Sequence, residues 1–271
     1  MTTGRSPIDE RETGSDVSAR LCEEIRKTIR QRAETCGGKD YWREPLVACA
    51  SADDPAFEDL KRVVGSDHAT PRDLLPDARS VVVFFLPFRP ELGLENSDCG
   101  VFASRDWAES YVATNSLIAE INAHLQECSE AAGYRAAVTP ATHNFDEERL
   151  ISRWSHKHLA HVAGLGTFGL HHLLITRAGC CGRLGSLVTS MPIPPTPKIE
   201  EEYCLVKAGH RCSECVPKCV YGALTHAGLD RRVCYDQCLR TDRHYSDLPT
   251  VDVCGKCACE VPCSYGLPPV P

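Results

Sequence analysis

The most distinctive part of the sequence runs from Cys204 to Cys263 and reads CLVKAGHRCSECVPKCVYGALTHAGLDRRVCYDQCLRTDRHYSDLPTVDVCGKCACEVPC. It holds ten of the seventeen cysteines in the chain: Cys204, Cys212, Cys215, Cys219, Cys234, Cys238, Cys254, Cys257, Cys259 and Cys263. Two spacings stand out, C-x2-C-x3-C from Cys212 to Cys219 and C-x2-C-x5-C from Cys254 to Cys263. Thiols at this density and spacing indicate metal binding.

Iron–sulfur clusters account for this spacing. A cubane cluster needs four thiolates, and in two-cluster ferredoxins the last cysteine of each run ligates the other cluster. Applied here, this logic predicts two [4Fe-4S] sites. The first set is Cys204, Cys212, Cys215 and Cys263, and the second is Cys219, Cys254 and Cys257 completed by Cys234 or Cys238. We expect Cys234 as the eighth ligand, with Cys238 and Cys259 as spares.

Two other interpretations of the cysteines remain open. Structural zinc uses paired C-x2-C units, usually about 15–20 residues apart, whereas Cys215 and Cys254 lie much further apart. A disulfide framework belongs to oxidising compartments, and nothing in the sequence signals export. A zinc-binding interaction module is therefore one of the functional hypotheses.

Length and charge narrow the class of protein. A chain of 271 residues suits one large domain, or one domain and a small module. The formal charge of −7 argues against nucleic acid as the main partner, since phosphate binding needs a basic surface, and leaves transfer RNA open. The N-terminal sequence lacks the apolar run of a signal peptide or membrane anchor, and no later segment approaches about 18 apolar residues. We expect a cytoplasmic protein without a membrane partner.

Hydrophobic periodicity predicts an alternation of helices and strands. Residues 1–16 are expected to form a disordered tail. The predicted helices are 16–36, ended by Gly37 and Gly38, then 55–64, 105–132 and about 150–163. The long helix is capped by Ser104 and ended by Gly133, and its apolar stripe is assigned to the core: Tyr111, Leu117, Ile118, Ile121 and Leu125. The predicted strands are 80–88, 134–139, 173–176 and 186–190. The strand Ser80–Phe88 is apolar on both faces and therefore central, with Tyr134–Thr139 and Leu173–Thr176 as candidate neighbours. Residues 89–104 are rich in proline, glycine and asparagine and are predicted to be a loop. Residues 139–149 are predicted to be a loop or the start of a helix, and Pro192–Pro197 a stiff linker.

A glycine-rich segment, Gly164-Leu165-Gly166-Thr167-Phe168-Gly169, follows the fourth helix. It matches G-x-G-x-x-G but is not a dinucleotide fingerprint, because a helix precedes it and a strand follows it. Its glycines allow either close approach of a flat ligand or a tight helix-to-strand crossing. A second small-residue patch contains Cys180 and Cys181, which we interpret as partly buried thiols. Five histidines surround the segment, and His158 and His161 lie one helical turn apart, where they can meet one ligand.

Ser155–Thr176, SHKHLAHVAGLGTFGLHHLLIT, together with GRLGS at Gly182–Ser186, resembles the core signature of the epoxyqueuosine reductases. In that family the signature precedes a two-cluster ferredoxin module, and the related reductive dehalogenases have the same order. Weaker matches at Leu75–Val81, Arg105–Trp107 and Asp230–Cys234 extend the resemblance over roughly residues 70–265.

The resemblance implies an α+β fold in two parts. Residues 17–197 would form an α/β sandwich cobalamin-binding domain of nitroreductase-like type, and residues 198–271 a bacterial ferredoxin-like module with two [4Fe-4S] clusters. Electrons would pass from the clusters to base-off cobalamin, whose cobalt reduces a substrate. The residues implied for cobalamin binding are His158, Gly164, Leu165, Gly166, Thr167, Phe168, Gly169, Gly185 and Ser186.

Two departures from the family pattern bear on the substrate. The aspartate that donates a proton in epoxyqueuosine reductases lies nine residues before the Leu-Ala of the signature, and that count from Leu159 falls on Leu150. The helical extension that some members use towards transfer RNA is not expected after Cys263. The sequence thus predicts a cobalamin-dependent iron–sulfur reductase for a small molecule or nucleoside, with epoxyqueuosine disfavoured. The alternative is a non-enzymatic electron-transfer or corrinoid-reducing activator that serves a redox partner protein.

Overall fold

The computed structural model describes residues 14–35 and 39–270, which form a mixture of helices and short strands. The helices are α1 (Gly14–Thr35), α2 (Ala56–Val63), α3 (Pro71–Leu74), α4 (Pro90–Asp98), α5 (Arg105–Ala131), α6 (His156–Val162) and α7 (Arg231–His244). The strands are β1 (Leu46–Ser51), β2 (Ser80–Pro87), β3 (Ala136–Val138), β4 (Phe145–Asp146), β5 (Ile151–Ser152), β6 (Gly166–Phe168), β7 (Leu174–Thr176), β8 (Gly182–Thr189), β9 (Leu224–Thr225) and β10 (Gly228–Leu229). A 3-10 turn follows at Lys256–Ala258.

The main sheet is antiparallel and has the strand order β1-β2-β8-β3. Every residue of β2 is buried, which confirms the prediction of a central strand. The predicted neighbours were wrong: β3 pairs with β8, and β7 pairs with β6 in a separate hairpin. The neighbours of β2 are β1, which the sequence analysis did not identify, and β8, which starts at Gly182 rather than Ser186.

Alternate residues of β2 enter two separate cores, because successive side chains of a strand point to opposite faces. Val82 and Phe84 pack in the core that contains the apolar stripe of α5. Val81 and Val83 pack in the core that contains α2 and Leu159 of α6. The sheet is therefore covered by helices on both faces. Because α6 packs on the second face, the glycine-rich segment that follows it begins there.

Two helix predictions are confirmed at their ends. Ser104 caps α5 with its hydroxyl, which accepts a hydrogen bond from the Trp107 amide at 3.2 Å, and Gly133 follows the helix at φ +83°. The second helix, α2, lies within the predicted 55–64. The first helix begins at Gly14, two residues before the expected start. Residues 1–13 of the expected disordered tail, and the glycines expected to end α1, lie outside the described residues.

Two predictions between residues 89 and 163 were wrong. The segment predicted as a loop contains α4, which begins with Pro90 at a position where proline suits a first helical turn. The helix expected from residue 150 begins only at His156, because β4 and β5 form a hairpin before it. Leu150 lies in that hairpin at φ +53°, a left-handed conformation that a helix does not accept.

The proline-rich segment 192–197 lies against the outer edge of β1. The Thr196 amide donates a hydrogen bond to the Cys49 carbonyl at 2.8 Å, and the Cys49 amide donates one to the Thr196 hydroxyl at 3.0 Å. In the cysteine-rich region that follows, Tyr203 and Cys259 belong to the same core as Val82. The division into domains at residue 197 stays a prediction. Among the described helices, none is both long and apolar enough to cross a membrane.

Candidate metal and cofactor site

The first predicted set of thiols meets at one small cavity. Cys204, Cys212, Cys215 and Cys263 line this space together with His171, and we call it the small cavity. Its volume is about 20 Å³, close to the room that one water molecule needs.

The thiols of the small cavity are close enough to influence each other's charge. Burial, and after it the neighbouring thiols of Cys263, Cys212 and Cys204, raise the pKa of Cys215 to about 11. A bound cation would lower the raised pKa of these thiols, since a shared metal stabilises thiolates that otherwise repel each other. The donor set therefore suits a thiolate-bound metal centre.

The second predicted set meets at another cavity of about 460 Å³, which we call the inner cavity. Its cysteine lining consists of Cys219, Cys234, Cys238, Cys254 and Cys257, together with the buried pair Cys180 and Cys181. The Cys219 sulfur accepts a hydrogen bond from the Leu224 amide at 3.3 Å. Burial, followed by the thiols of Cys254, Cys234 and Cys219, raises the pKa of Cys257 well above its ordinary value.

A buried tryptophan adds an unsatisfied donor to the inner cavity. Trp107 is 4% exposed, and its indole Nε1 has no hydrogen-bond partner among the described residues. Gly255, between Cys254 and Cys257, has φ +74°, and a Cβ there would lie 2.7 Å from Trp107 Nε1. An orphaned N–H beside converging thiols fits an anionic sulfur-rich group, because buried donors are rarely left unpaired. The inner cavity thus passes this test for a cluster.

Cys234 and Cys238, the two candidates for the eighth cluster ligand, lie in different surroundings from the spare cysteine Cys259. Cys234 and Cys238 lie one turn apart on α7, and both line the inner cavity. A hydrogen bond from Cys238 lowers the pKa of the Cys234 thiol. Cys259 lines neither cavity: it is fully buried and donates to the Gly255 carbonyl at 3.2 Å. The choice between Cys234 and Cys238 stays open, and all of these ligand assignments stay predictions.

A larger groove of about 1040 Å³ adjoins the inner cavity, and we call it the outer groove. The two share wall residues, among them Thr142, Phe145, Lys157 and Cys234, so they are adjacent. A volume of this size lies at the top of the range of small-molecule and cofactor sites, roughly 300–1,000 Å³. The arrangement places a thiol-lined chamber behind a ligand-sized groove.

Three of the nine residues implied for cobalamin line the outer groove, namely His158, Phe168 and Gly169. The Phe168 ring lies 4.8 Å from that of His158 and 5.5 Å from that of His161, measured between centroids. Two lysine ammonium groups, of Lys157 and Lys207, lie about 6 Å from the same ring. Aromatic and cationic groups on one wall suit a flat ligand with negative substituents.

The other six implied residues pack against the chain itself. They are Gly164, Leu165, Gly166, Thr167, Gly185 and Ser186. A Cβ on Gly164 would lie 2.5 Å from the Pro197 carbonyl oxygen, and one on Gly185 would meet the Phe84 ring. The Thr167 hydroxyl accepts a hydrogen bond from the Tyr203 amide at 2.9 Å. The tight helix-to-strand crossing accounts for these residues, and their role in cofactor binding stays a prediction.

The surroundings of His158 on the groove wall keep its imidazole neutral. Burial, followed by the charge of Lys157, lowers the pKa of His158 to about 3. Burial also lowers the pKa of Lys157, whose ammonium donates to the His172 carbonyl at 3.1 Å. His156 faces the core instead, where it contacts the Ser186 hydroxyl at 2.9 Å. His158 thus offers a neutral imidazole to the groove.

The position counted as the family's proton donor lies on the groove wall and carries no acid. Leu150 lines the outer groove with an apolar side chain. The nearby Asp146 carboxylate accepts hydrogen bonds at 2.9 Å from the amides of Glu148 and Arg149, so it stabilises the β4–β5 turn. Proton transfer by this segment would need a different side chain.

Sequence reasoning missed a hydrogen-bonded pair in the inner cavity. The Tyr111 hydroxyl donates to Asp252 Oδ1 at 2.5 Å, and both residues line the cavity. The Arg183 guanidinium lies 4.2 Å from the centroid of the Tyr111 ring. The α5 periodicity assigned Tyr111 to the core, which describes its ring, but its polar end was the signal that could have identified the pair.

The fold and the thiol-lined cavities describe a mixed α/β protein with a candidate metal centre. No protein-family model matches the chain. It is 25% identical over 172 residues to the epoxyqueuosine reductase of Bacillus cereus, a match that covers 60% of this chain and 41% of that protein. The matched region is therefore less than half of the relative's length.

Solved structures of epoxyqueuosine reductases have a similar fold. The enzyme from Streptococcus thermophilus aligns with a TM-score of 0.51 and 17% identity, over 92% of this chain and 68% of that one. The enzyme from Bacillus subtilis aligns with a TM-score of 0.51 and 17% identity, over 91% of this chain and 67% of that one. An epoxyqueuosine reductase with a transfer-RNA stem loop aligns with a TM-score of 0.50 and 18% identity, over 83% of this chain and 58% of that one. The chain is thus similar in sequence and in fold to the epoxyqueuosine reductases.

Proposed function

We propose that the chain is a cobalamin-dependent iron–sulfur reductase with two [4Fe-4S] clusters. The observation that carries the proposal is the separation of the thiols: the two ligand sets that the spacing predicts line two different cavities and share no member. Cys263 supports it further, because it is the last cysteine of the second run and yet lies with thiols of the first run at the small cavity, as in two-cluster ferredoxins.

The cofactors would be held by residues on the walls of these cavities. The clusters would bind the eight predicted cysteines, and the corrin would lie in the outer groove near Phe168, Gly169 and His158. When bound, the clusters supply electrons singly and cobalamin supplies the reducing chemistry. Similarity to epoxyqueuosine reductases and the wall residues that the inner cavity shares with the groove support this pairing. The finer likeness to reductive dehalogenases belongs to the same proposal.

This chain's own residues hold a proton in the inner cavity. Burial raises the pKa of Tyr111, so its hydroxyl stays protonated at neutral pH while it donates to Asp252. Leu150 offers no proton on the groove wall, so we expect a small-molecule or nucleoside substrate other than epoxyqueuosine. A transfer-RNA stem loop with epoxyqueuosine, found with one relative, is the substrate to test first, because its turnover would contradict this expectation. We also propose a reducing, cytoplasmic setting, where free thiols persist.

The direct test is reconstitution with iron and sulfide under anaerobic conditions. We expect about eight iron atoms per chain and a changed corrin spectrum when hydroxocobalamin is added. The Cys257→Ser variant should lose about half of the iron, whereas Cys128→Ser, on the exposed face of α5, should keep it. Iron well below this level together with an unchanged corrin spectrum would refute the proposal, and stoichiometric zinc would establish the zinc-binding module instead.

A second candidate function is an electron-transfer or corrinoid-reducing activator. Leu150 favours it, because an activator hands electrons to a redox partner protein and needs no proton donor in its groove. The two functions separate in an assay of the reconstituted protein alone with a chemical reductant. Turnover of any small molecule by the isolated chain excludes the activator, and reduction of a partner corrinoid protein without such turnover supports it.

A further inference from the structure

A buried histidine stands between the two thiol-lined cavities. His171 is 3% exposed and lines both the small and the inner cavity. Its Nε2 lies 3.5 Å from the sulfur of Cys263, a member of the first thiol set. The imidazole therefore contacts one predicted cluster ligand directly and lies beside the second cavity.

The backbone fixes which ring nitrogen carries the proton. The Leu173 amide donates a hydrogen bond to His171 Nδ1 at 3.1 Å, so Nδ1 must offer a lone pair. In neutral imidazole the single proton then resides on Nε2. Nε2–H points at the Cys263 sulfur, which makes His171 the donor in that contact.

The third glycine of the G-x-G-x-x-G segment makes this orientation possible. A Cβ on Gly169 would lie 2.8 Å from His171 Nδ1 and still closer to Cε1. Any side chain at this position would push the ring from its place. The requirement for glycine at residue 169 is thus explained by the histidine two residues later.

Hydrogen bonds to the sulfurs of an iron–sulfur cluster are one of the factors that set its reduction potential. A donor to a thiolate stabilises the more negative, reduced state and raises the potential. We propose that His171 raises the reduction potential of the cluster held by Cys204, Cys212, Cys215 and Cys263 through its Nε2–H bond to Cys263. His171 is a positioning and tuning residue, and its role rests on the proposed function above.

One neighbour of this contact needs its own control. The Cys180 sulfur, His171 and Cys263 place their ligand atoms within 4.8 Å of one another. The Cys180 thiol also hydrogen-bonds with Cys263 and contacts the Ala258 carbonyl at 3.8 Å, but a thiol is a weak donor. Removal of this thiol should therefore change the potential less than removal of the imidazole N–H.

The test is a redox titration of the reconstituted full chain, followed by electron paramagnetic resonance. His171→Phe keeps a ring and removes the donor, and we expect the midpoint potential of one cluster to fall by a tenfold change in its one-electron equilibrium, ~59 mV. His171→Gln keeps an N–H near the Nε2 position and should preserve the potential. The shifted signal should be the one that Cys212→Ser lacks, and Cys180→Ala should shift it less.

Each other outcome is decisive. Unchanged potentials in His171→Phe, or equal shifts in the Phe and Gln variants, would overturn the inference while both clusters remain present. Loss of about four irons in His171→Phe would make the histidine a ligand instead. If His171→Phe does not fold, Gly169→Ala, which displaces the ring, must lower the same potential. Absence of clusters from the unmodified protein is the separate failure of the proposed function.

Discussion

The phenol oxygen of Tyr111 lies 2.5 Å from Oδ1 of Asp252, and both side chains are buried at the wall of the inner cavity. His143 Nε2, which can form an ion pair with this carboxylate when protonated, is 3.7 Å from the same oxygen. Tyr111 is thus a principal partner of a carboxylate that has little access to water.

Tyr111→Phe should lower the free energy of unfolding by about 1.5–3 kcal/mol, the range for a hydrogen bond to a charged group. Urea denaturation of the protein without added iron measures this change. Asp252→Asn keeps an acceptor for the phenol and removes the charge, so we expect a smaller loss. A larger loss for Asp252→Asn than for Tyr111→Phe would contradict this account.

Substitution of the two α7 cysteines should identify the eighth cluster ligand. Cys234→Ser is expected to remove about four irons per chain, because Cys234 is the predicted eighth ligand and lines the inner cavity with Cys219, Cys254 and Cys257. Cys238→Ser should keep both clusters. Iron and sulfide analysis after reconstitution distinguishes the two, and the reverse result would move the assignment to Cys238.

Gly166→Ala should destabilise the protein by about 1–3 kcal/mol, typical of an overpacked site. Its Cβ would meet the Ile175 carbonyl oxygen across the β6–β7 pair. Gly266→Ala is the matched control and should change stability by less than about 0.5 kcal/mol, since, beyond its two chain neighbours, no atom of the residues that the structure describes lies within 4 Å of its added Cβ. Thermal or urea unfolding measures both. Unchanged stability of Gly166→Ala, with loss of cobalamin binding, would instead assign this glycine to the cofactor.

The neutral state of His158 predicts a stability loss in acid. Its folded pKa of about 3 lies below the ordinary value of 6.5, so between these values the unfolded chain binds more protons and stability falls as the pH falls. Between pH 7 and pH 5 the loss from this residue is at most about 2 kcal/mol. His158→Gln should flatten this slope in urea titrations at the two pH values, whereas a slope that stays equally steep would argue against the buried neutral histidine.

The features that sequence predicted well are those set by local physics. The apolar run of β2 identifies a central strand without its neighbours, and the serine before α5 and the glycine after it identify the helix ends. The two cysteine sets were proposed from spacing, because ligands that converge on one core have few possible separations in the chain. The structure places these thiols at two cavities, and their assignment as cluster ligands stays a prediction.

The features that sequence did not predict depend on distant partners. β1 contains small residues, LVACAS, and becomes a strand through its pairing with β2. α4 was predicted as a loop from its proline, glycine and asparagine content, yet its Asn96 is fully buried and accepts the Ser104 amide. The site pair behaves in the same way, because Tyr111 and Asp252 are 141 positions apart. Periodicity within one segment carries no information about such contacts.

The contact between Thr196 and Cys49 has a consequence for solubility. β1 is the outermost strand on its side of the sheet, and the outward-facing amide and carbonyl of Cys49 would otherwise be open to pairing with another molecule. The proline-rich segment occupies that position, and most of its residues lack the N–H that would let a further strand add on. A connection that reads as a spacer thus also guards the molecule against edge-to-edge aggregation.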